Sequence, residues 1–435
     1  MKARRPFRII IRAHTARRDA AHCILLAKIF ERMGCKASIA STRDYAARIR
    51  LWRPDAIVIL TNGPIRETKA LAPRARLVYL DGEGFQAPGY TNAEWWQENR
   101  DAFDMLDLVL VWGNQALEDF NEFFPEAERS KIQVVGSPKL DLVRLLPDRY
   151  RNTDRSDRSI GLVARFPNIN DHRGMQPLLH MKKRRNVDRL IVQCNNAWGF
   201  VSAIRAIIEK TSFRISIRPH PNEQLELYPE FLRFWIGEQN RDRAEIDDSL
   251  AFPVWASSQK ALISPTSTSF LEAYLLGIPV INLDMISGTE VVNRQYAETA
   301  AGWQAGGMMP ETTDQMCELL ERGASPPVCD ETINNQLTDI CDWHAGRSAC
   351  LRAARAIVDD LNNRPPERTA HWPRPLVDLR DEFSFWQNMR RNPLHQNFNY
   401  KKGYHPVPAV YDEMAERAFE LEHERQESGP SIQGG

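Results

Sequence analysis

The strongest constraint on the fold is a series of short runs that are apolar at almost every position. They are DAIVILT (Asp55 to Thr61), Arg76 to Leu80, LDLVLVW (Leu106 to Trp112) and IQVVG (Ile132 to Gly136). A strand with one face in water alternates apolar and polar residues; a strand that does not alternate must be covered on both faces. Helical periodicity fills the gaps between the runs. From Asp19 to Met33, Ala21, Leu25, Ile29 and Met33 form one stripe, and Gly34 follows as a stop. Phe7 to Ala13 opens the series. Apolar strands alternating with helices give a parallel sheet sandwiched between helical layers.

A polar, aperiodic stretch, PDRYRNTDRSDR, interrupts this pattern, and a second series then begins at Ser159 (SIGLVA). It continues through Phe213 to Arg218, Ala261 to Ser264 and Ile278 to Leu283, with helical patterns at Val201 to Lys210 and Phe270 to Leu276. At 435 residues the chain is too long for one ordinary core. The expected fold class is α/β: two doubly wound Rossmann-like domains, 1–148 and 159–345, facing each other across a cleft. Residues 346–435 read as a third segment. Ala349 to Leu361 and the charged, amphipathic Val407 to Gln426 are helical, and RPPERTAHWPRP is a proline-rich crossing between them. The aromatic and basic stretch 385–408 reads as a strap across the two domains, with contact to a glycan or lipid headgroup as the alternative. The last eight residues, SGPSIQGG, read as a disordered tail.

Lys plus Arg and Asp plus Glu are 57 each, so the formal net charge is zero, which speaks against a nucleic-acid partner. Seven cysteines, an odd number without any Cys-x-x-Cys, indicate neither a disulfide framework nor a zinc knuckle. No run is long and apolar enough for a signal peptide or a membrane span. The expected location is cytoplasmic, and any membrane contact would be peripheral, at the inner face.

Four stretches could carry chemistry. In FRISIRPHPNE (213–223) an alternating strand stops at Arg218-Pro219-His220-Pro221. Pro221 biases His220 toward extended backbone, and the carboxyl ends of parallel strands are where open α/β sheets bind ligands. An imidazole there can donate to a phosphoryl oxygen, and Arg218 could add charge. Taken alone, the His-Pro pair reads as a strand-ending turn with a solvated imidazole. In the second stretch Ser264-Pro265-Thr266-Ser267-Thr268-Ser269 follows a strand and opens a helix, so hydroxyls and free N–H groups could form an anion site. Ser269 and Glu272 have the spacing of a capping box, which needs no ligand. The third stretch, LVYLDGEGFQ (77–86), delivers Asp81, Gly82, Glu83 and Gly84 into a loop. A carboxylate there could act as general base, or the loop could be a simple turn. The fourth, IQVVGSPKLD (132–141), reads as structural. There is no phosphate-binding Gly-x-x-x-x-Gly-Lys, no Gly-x-Gly-x-x-Gly after the first strand, no Gly-x-Ser-x-Gly and no Asp-x-Asp. Phosphate, if bound, would be held by hydroxyls, N–H groups, His220 and Arg218 without an obligatory metal or cofactor.

In order and spacing these stretches resemble the bacterial surface carbohydrate biosynthesis proteins, which are similar to Kdo transferases and more distantly to bacterial sialyltransferases. The matching residues are Asp81-Gly82-Glu83-Gly84, Gly136-Ser137-Pro138-Lys139-Leu140-Asp141, His220-Pro221 and Ser264 to Ser269. The resemblance implies a GT-B fold and transfer of a Kdo- or sialic-acid-like sugar from a CMP-activated donor to a surface polysaccharide or lipid-linked glycan. It implies an acceptor role for the first domain and a nucleotide-sugar role for the second. Glu83, with Asp81 second and His220, would be catalytic. Arg218, Pro221, Ser264, Thr266, Ser267, Thr268, Ser269 and Glu272 would bind the nucleotide. The family has adjacent acids where this chain has Gly82 between them. Asp171 is a candidate for the further carboxylate that retention of configuration would require. Two alternatives stay open: a GT-B-type sugar-nucleotide epimerase or CDP-polyol phosphotransferase, and a catalytically inactive sugar- or nucleotide-binding protein.

Overall fold

A computed structural model of the chain describes residues 5–42, 44–82, 92–151, 159–184, 187–249, 251–290, 307–324, 331–343, 347–364 and 409–428. It divides into two compact units, Met1–Pro147 with Asn334–Gly435, and Asp148–Ile333.

The first unit holds six parallel strands: β1 (Arg8–Ala13), β2 (Lys36–Ser41), β3 (Ala56–Ile59), β4 (Arg76–Leu80), β5 (Leu108–Val111) and β6 (Ile132–Val134). Their order is β2-β1-β3-β4-β5-β6. The direction of winding reverses between β1 and β3, which makes the sheet doubly wound. Every residue of β1, β3 and β5 is buried; β3 and β5 are apolar throughout, as strands covered on both faces are, while β1 also buries Arg8 and Arg12. On one face Ile57, Ile59, Leu77 and Tyr79 pack with Trp96, Phe103 and Phe124. Phe103 and Phe124 stack with ring centroids 4.1 Å apart. On the other face the helix Ala16–Arg32 buries Leu25, Leu26 and Ile29. That helix packs against the helices Pro138–Arg144, Ala349–Asn363 and Val410–Ser428.

The C-terminal helices pack within the first unit. Lys28 pairs with Asp412 at 2.8 Å, and Arg76 with Asp360 at 2.6 Å. Buried Asp141 accepts from the Ser348 hydroxyl and the Cys350 N–H, both at 2.7 Å, so the start of the 349–363 helix is bonded into the loop after β6. The stretch 385–408 and the tail after 428 lie outside the described residues.

The second unit holds β7 (Ile160–Val163), β8 (Ile215–Arg218), β9 (Ala244–Ile246), β10 (Leu262–Ser264) and β11 (Val280–Asn282), all parallel and ordered β11-β10-β7-β8-β9. The chain winds outward from β7 through β8 to β9, then returns to place β10 on the other side of β7. The helix Val187–Lys210 crosses one face and buries Phe200, Ala203, Ile204 and Ile207 in the core. The sequence reading starts this helix at 201; its first turns are missed because Val187, Ile191 and Trp198 face outward, against the usual apolar-in pattern. Two strands, β2 and β9, were also missed. Both carry polar residues, and β2 is only partly buried.

Candidate functional site

In the second unit the winding reverses between β7 and β10, so the loops at their carboxyl ends border the crevice where doubly wound sheets take ligands. The loop after β8 is the neighbour of the loop after β7. The sequence-derived candidates His220 and Ser264 to Ser269 thus follow strands on either side of β7, at one edge of one sheet.

The turn holding His220 is tied together by a residue the sequence reading passed over. Glu223 is fully buried. Its carboxylate accepts from the Phe166 N–H at 2.8 Å, from the Tyr228 hydroxyl, and from the His220 N–H at 3.3 Å. Phe166 belongs to the loop after β7, so one carboxylate clamps two adjacent carboxyl-end loops. Three donors on it meet the usual requirement for burying such a group.

Asn222 orients two imidazoles. Its N–H donates to His220 Nδ1 at 3.1 Å. An accepting Nδ1 puts the proton of the neutral ring on Nε2, making Nε2 the donor nitrogen. The Asn222 carbonyl accepts from the His172 N–H and lies 3.0 Å from His172 Nδ1. His220 is partly exposed and Pro219 behind it is buried, which seats the turn while its ring borders solvent.

Asp171 stands in the same loop, paired by a β-bridge with Glu223. It is buried, with His180 Nε2 2.9 Å away and Arg173 bonded at 2.7 Å. Burial pushes its carboxyl up, but the hydrogen bonds from Arg173 outweigh that and hold it below the usual range. A carboxylate held this way organises the loop; its charge is already taken up by Arg173.

Arg218 is buried. Its guanidinium pairs with Asp247 and donates to the Ser249 carbonyl at 2.8 Å, and it lies 5.5 Å from the ring centroids of Phe252 and Trp255. These partners keep the cation within the unit, where it fixes the end of β8.

The hydroxyl loop is also partly committed. The Ser264 hydroxyl donates to the Val163 carbonyl at 3.0 Å, bridging β10 to β7. Thr266 bonds Asp284 through both its N–H, at 2.9 Å, and its hydroxyl. Asn282 donates to the Thr266 hydroxyl oxygen at 3.1 Å. Ser267 Oγ accepts the Ser269 N–H at 3.3 Å, and Thr268 is exposed. The capping box does not form. The helix starts at Ser269 itself, and Thr268, at φ −61° and ψ −17°, is already helical, so Ser269 is one position too far in to cap. Glu272 is buried in that helix. The residues left facing outward are Ser267 and Thr268.

Asp284, Asn282, Gln193 and Asn196 complete the edge, and none was singled out from sequence. Gln193 accepts the Asn168 N–H at 2.6 Å, and Asn196 donates to the Arg165 carbonyl at 3.5 Å. Thr289 donates to Asn196 at 3.3 Å. Polar residues at Gln193 and Asn196, inside an otherwise apolar helix face, were the available signal.

Asp81 lies in the first unit, where β4 ends. It is buried, its carbonyl accepts from Trp112 Nε1 at 2.7 Å, and the Tyr79 hydroxyl is 3.4 Å from its carboxylate. Gly82 has a steric reason to be glycine. A Cβ built on it would stand 2.8 Å from the Leu60 carbonyl oxygen and 3.2 Å from Leu60 Cβ. A side chain there would require the chain to shift away from the end of β3, so an acid adjacent to Asp81 is disfavoured. Glu83 lies outside the described residues.

No protein-family model and no curated protein matches the chain. Among solved structures, it is similar to the wall teichoic acid polymerase TagF soaked with CDPG, at 11% identity and a TM-score of 0.50, over 82% of this chain and 90% of that one. It is also similar to the UDP-GlcNAc 2-epimerase of Methanocaldococcus jannaschii in complex with UDP-GlcNAc and UDP, at 13% identity and a TM-score of 0.48, over 81% of this chain and 99% of that one. A third is the calicheamicin glycosyltransferase, at 13% identity and a TM-score of 0.44, over 83% and 100%. The two-sheet α/β fold expected from the sequence is thereby found, in the GT-B class.

Proposed function

We propose that the chain is a glycosyltransferase that moves a Kdo- or sialic-acid-like sugar from a CMP-activated donor to a surface polysaccharide or lipid-linked glycan. The observation that carries this reading is the tautomer and place of His220. Its Nδ1 is occupied by the Asn222 N–H, and it stands at the carboxyl edge of the second sheet, one strand from the switch point. A protonated Nε2 there suits a phosphate oxygen. In the reaction an acceptor oxygen attacks the anomeric carbon while the bond from that carbon to the phosphate oxygen breaks. The electron pair leaves with CMP, and the acceptor proton passes to a carboxylate, Glu83 or Asp81. His220 Nε2–H, with Ser267 and Thr268, would stabilise the charge growing on the leaving phosphate. Each such donor typically contributes about 3 kcal/mol to lowering the barrier. Arg218, Ser264, Thr266 and Glu223 would position these groups, and no metal is required by the scheme.

A CDP-polyol phosphotransferase is the second reading. The crowded Gly82 favours it, since a side chain there would press on the Leu60 carbonyl, which works against the adjacent acids of the Kdo-transferase pattern. Both reactions release CMP, so the test is donor turnover. Incubation with CMP-Kdo, CMP-sialic acid, CDP-glycerol and UDP-GlcNAc, with chelator present, should release CMP from a CMP-sugar alone. Turnover of CDP-glycerol would establish the second reading, and epimerisation of UDP-GlcNAc would exclude both.

A further inference from the structure

We propose that the outer face formed by the helices Pro177–Arg184 and Val187–Lys210 docks on an anionic lipid surface. Five of the six large apolar side chains exposed among the described residues lie here: Leu178 (73% exposed), Leu179, Val187, Ile191 and Trp198 (70%). Scattered exposed apolar residues need no explanation, but a cluster of this kind does. Val187, Ile191, Cys194 and Trp198 are all exposed and recur at helical spacing, so they form one outward stripe three turns long. The same helix is amphipathic in the opposite sense on its inner side, where Phe200, Ala203 and Ile204 fill the core. The neighbouring helix buries His180 against Asp171 and turns Leu178, Leu179 and Lys182 outward.

Charge identifies the occupant. Residues 182–189 contain five basic residues and one acidic residue in a chain of zero net charge. Lys182 and Arg189 are both exposed beside the apolar stripe. Apolar anchors, a tryptophan and basic side chains on one surface suit the boundary between acyl chains and anionic headgroups. A second copy of the chain would bring two such basic clusters together, which like-charge repulsion opposes. No helix among the described residues is long and apolar enough to cross a membrane, so the contact would be peripheral.

The placement has a consequence for the site. The turns that carry Ile191, Cys194 and Trp198 outward also carry Gln193 and Asn196 inward, onto the loop after β7. Docking would set the carboxyl edge of the second sheet beside the lipid, where a lipid-linked acceptor is anchored. That consequence rests on the proposed transferase reading; the docking surface itself does not.

The test is co-sedimentation of the full chain, without nucleotide, with phosphatidylcholine vesicles and with vesicles of phosphatidylcholine and phosphatidylglycerol in equal amounts. Binding should require the anionic lipid and weaken with salt. Ile191→Glu and Trp198→Glu should each lower partitioning about tenfold or more, and Lys182→Gln and Arg189→Gln about fivefold each. All four positions are exposed, so circular dichroism and unfolding midpoints should not move. Equal binding to neutral vesicles, or no binding, would overturn the proposal. So would a wild-type dimer that Trp198→Glu converts to a monomer, because the face would then be covered by a second copy. Donor turnover is measured separately, so failure of either proposal leaves the other standing.

Discussion

The N–H of Asn222 donates to His220 Nδ1 at 3.1 Å, so the position of one imidazole proton is fixed by the backbone two residues further on. The neutral ring can then present only Nε2 as a donor. The transfer chemistry proposed for the second unit depends on that turn being held rigidly.

Glu223 supplies the rigidity. Glu223→Ala would leave the Phe166 N–H, the His220 N–H and the Tyr228 hydroxyl without their buried acceptor. The loss expected is roughly 3 kcal/mol, from unsatisfied groups costing about 1–3 kcal/mol each with partial relaxation. Urea unfolding measures it, and Glu223→Gln, which keeps an acceptor oxygen, should lose less. A variant as stable as wild type would mean that the two loops are held by something else.

Gly82 is expected to resist substitution. Even Gly82→Ala forces the chain away from the Leu60 carbonyl, at a cost of about 1–3 kcal/mol. Gly82→Asp, which would place acids side by side, should destabilise further and gain no activity. An aspartate accepted without loss of stability would show that the backbone there moves freely.

His22 should make the first unit sensitive to acid. Burial is the largest effect on its imidazole and takes its pKa down to about 4; nearby Asp19 opposes this, while Lys139 and Arg18 add to it. The unfolded chain, with an ordinary pKa near 6.5, binds the proton more readily. The stability from keeping this ring neutral is complete above about pH 6.5 and is lost as the pH falls toward 4, up to roughly 3 kcal/mol. Urea midpoints at pH 7.5 and 4.5 test this. His22→Leu should flatten the curve between pH 6.5 and 4, and an unchanged slope would contradict the assignment.

Much of the fold was legible because the buried strands declare themselves. DAIVILT and LDLVLVW leave no polar face, so a covered parallel sheet follows from them, and the Pro and Ser/Thr stretches mark strand ends. The place of the C-terminal helices was not legible, because it depends on Asp141 bonding residues more than 200 positions away. In the site, sequence pointed to the turn through His220 but not to Glu223, since a glutamate in the turn after a strand end looks solvated until burial is known. Arg218 and Thr266 were read as facing a phosphate. Their partners, Asp247 and Asp284, are distant in sequence and carry no motif. The outward stripe on the 187–210 helix was hidden for the converse reason: apolar periodicity implies burial by default.

The most direct test of the central claim is calorimetric titration of CMP, without metal, into wild type and His220→Ala. Because the side chain is partly exposed, the variant should fold normally. Wild type should bind CMP in preference to UDP, and the variant should bind it at least tenfold more weakly, as expected for loss of a hydrogen bond to a charged phosphate. Equal CMP affinity in the two proteins, or a clear preference for UDP, would contradict the claim that this imidazole faces the leaving phosphate of a CMP-activated donor.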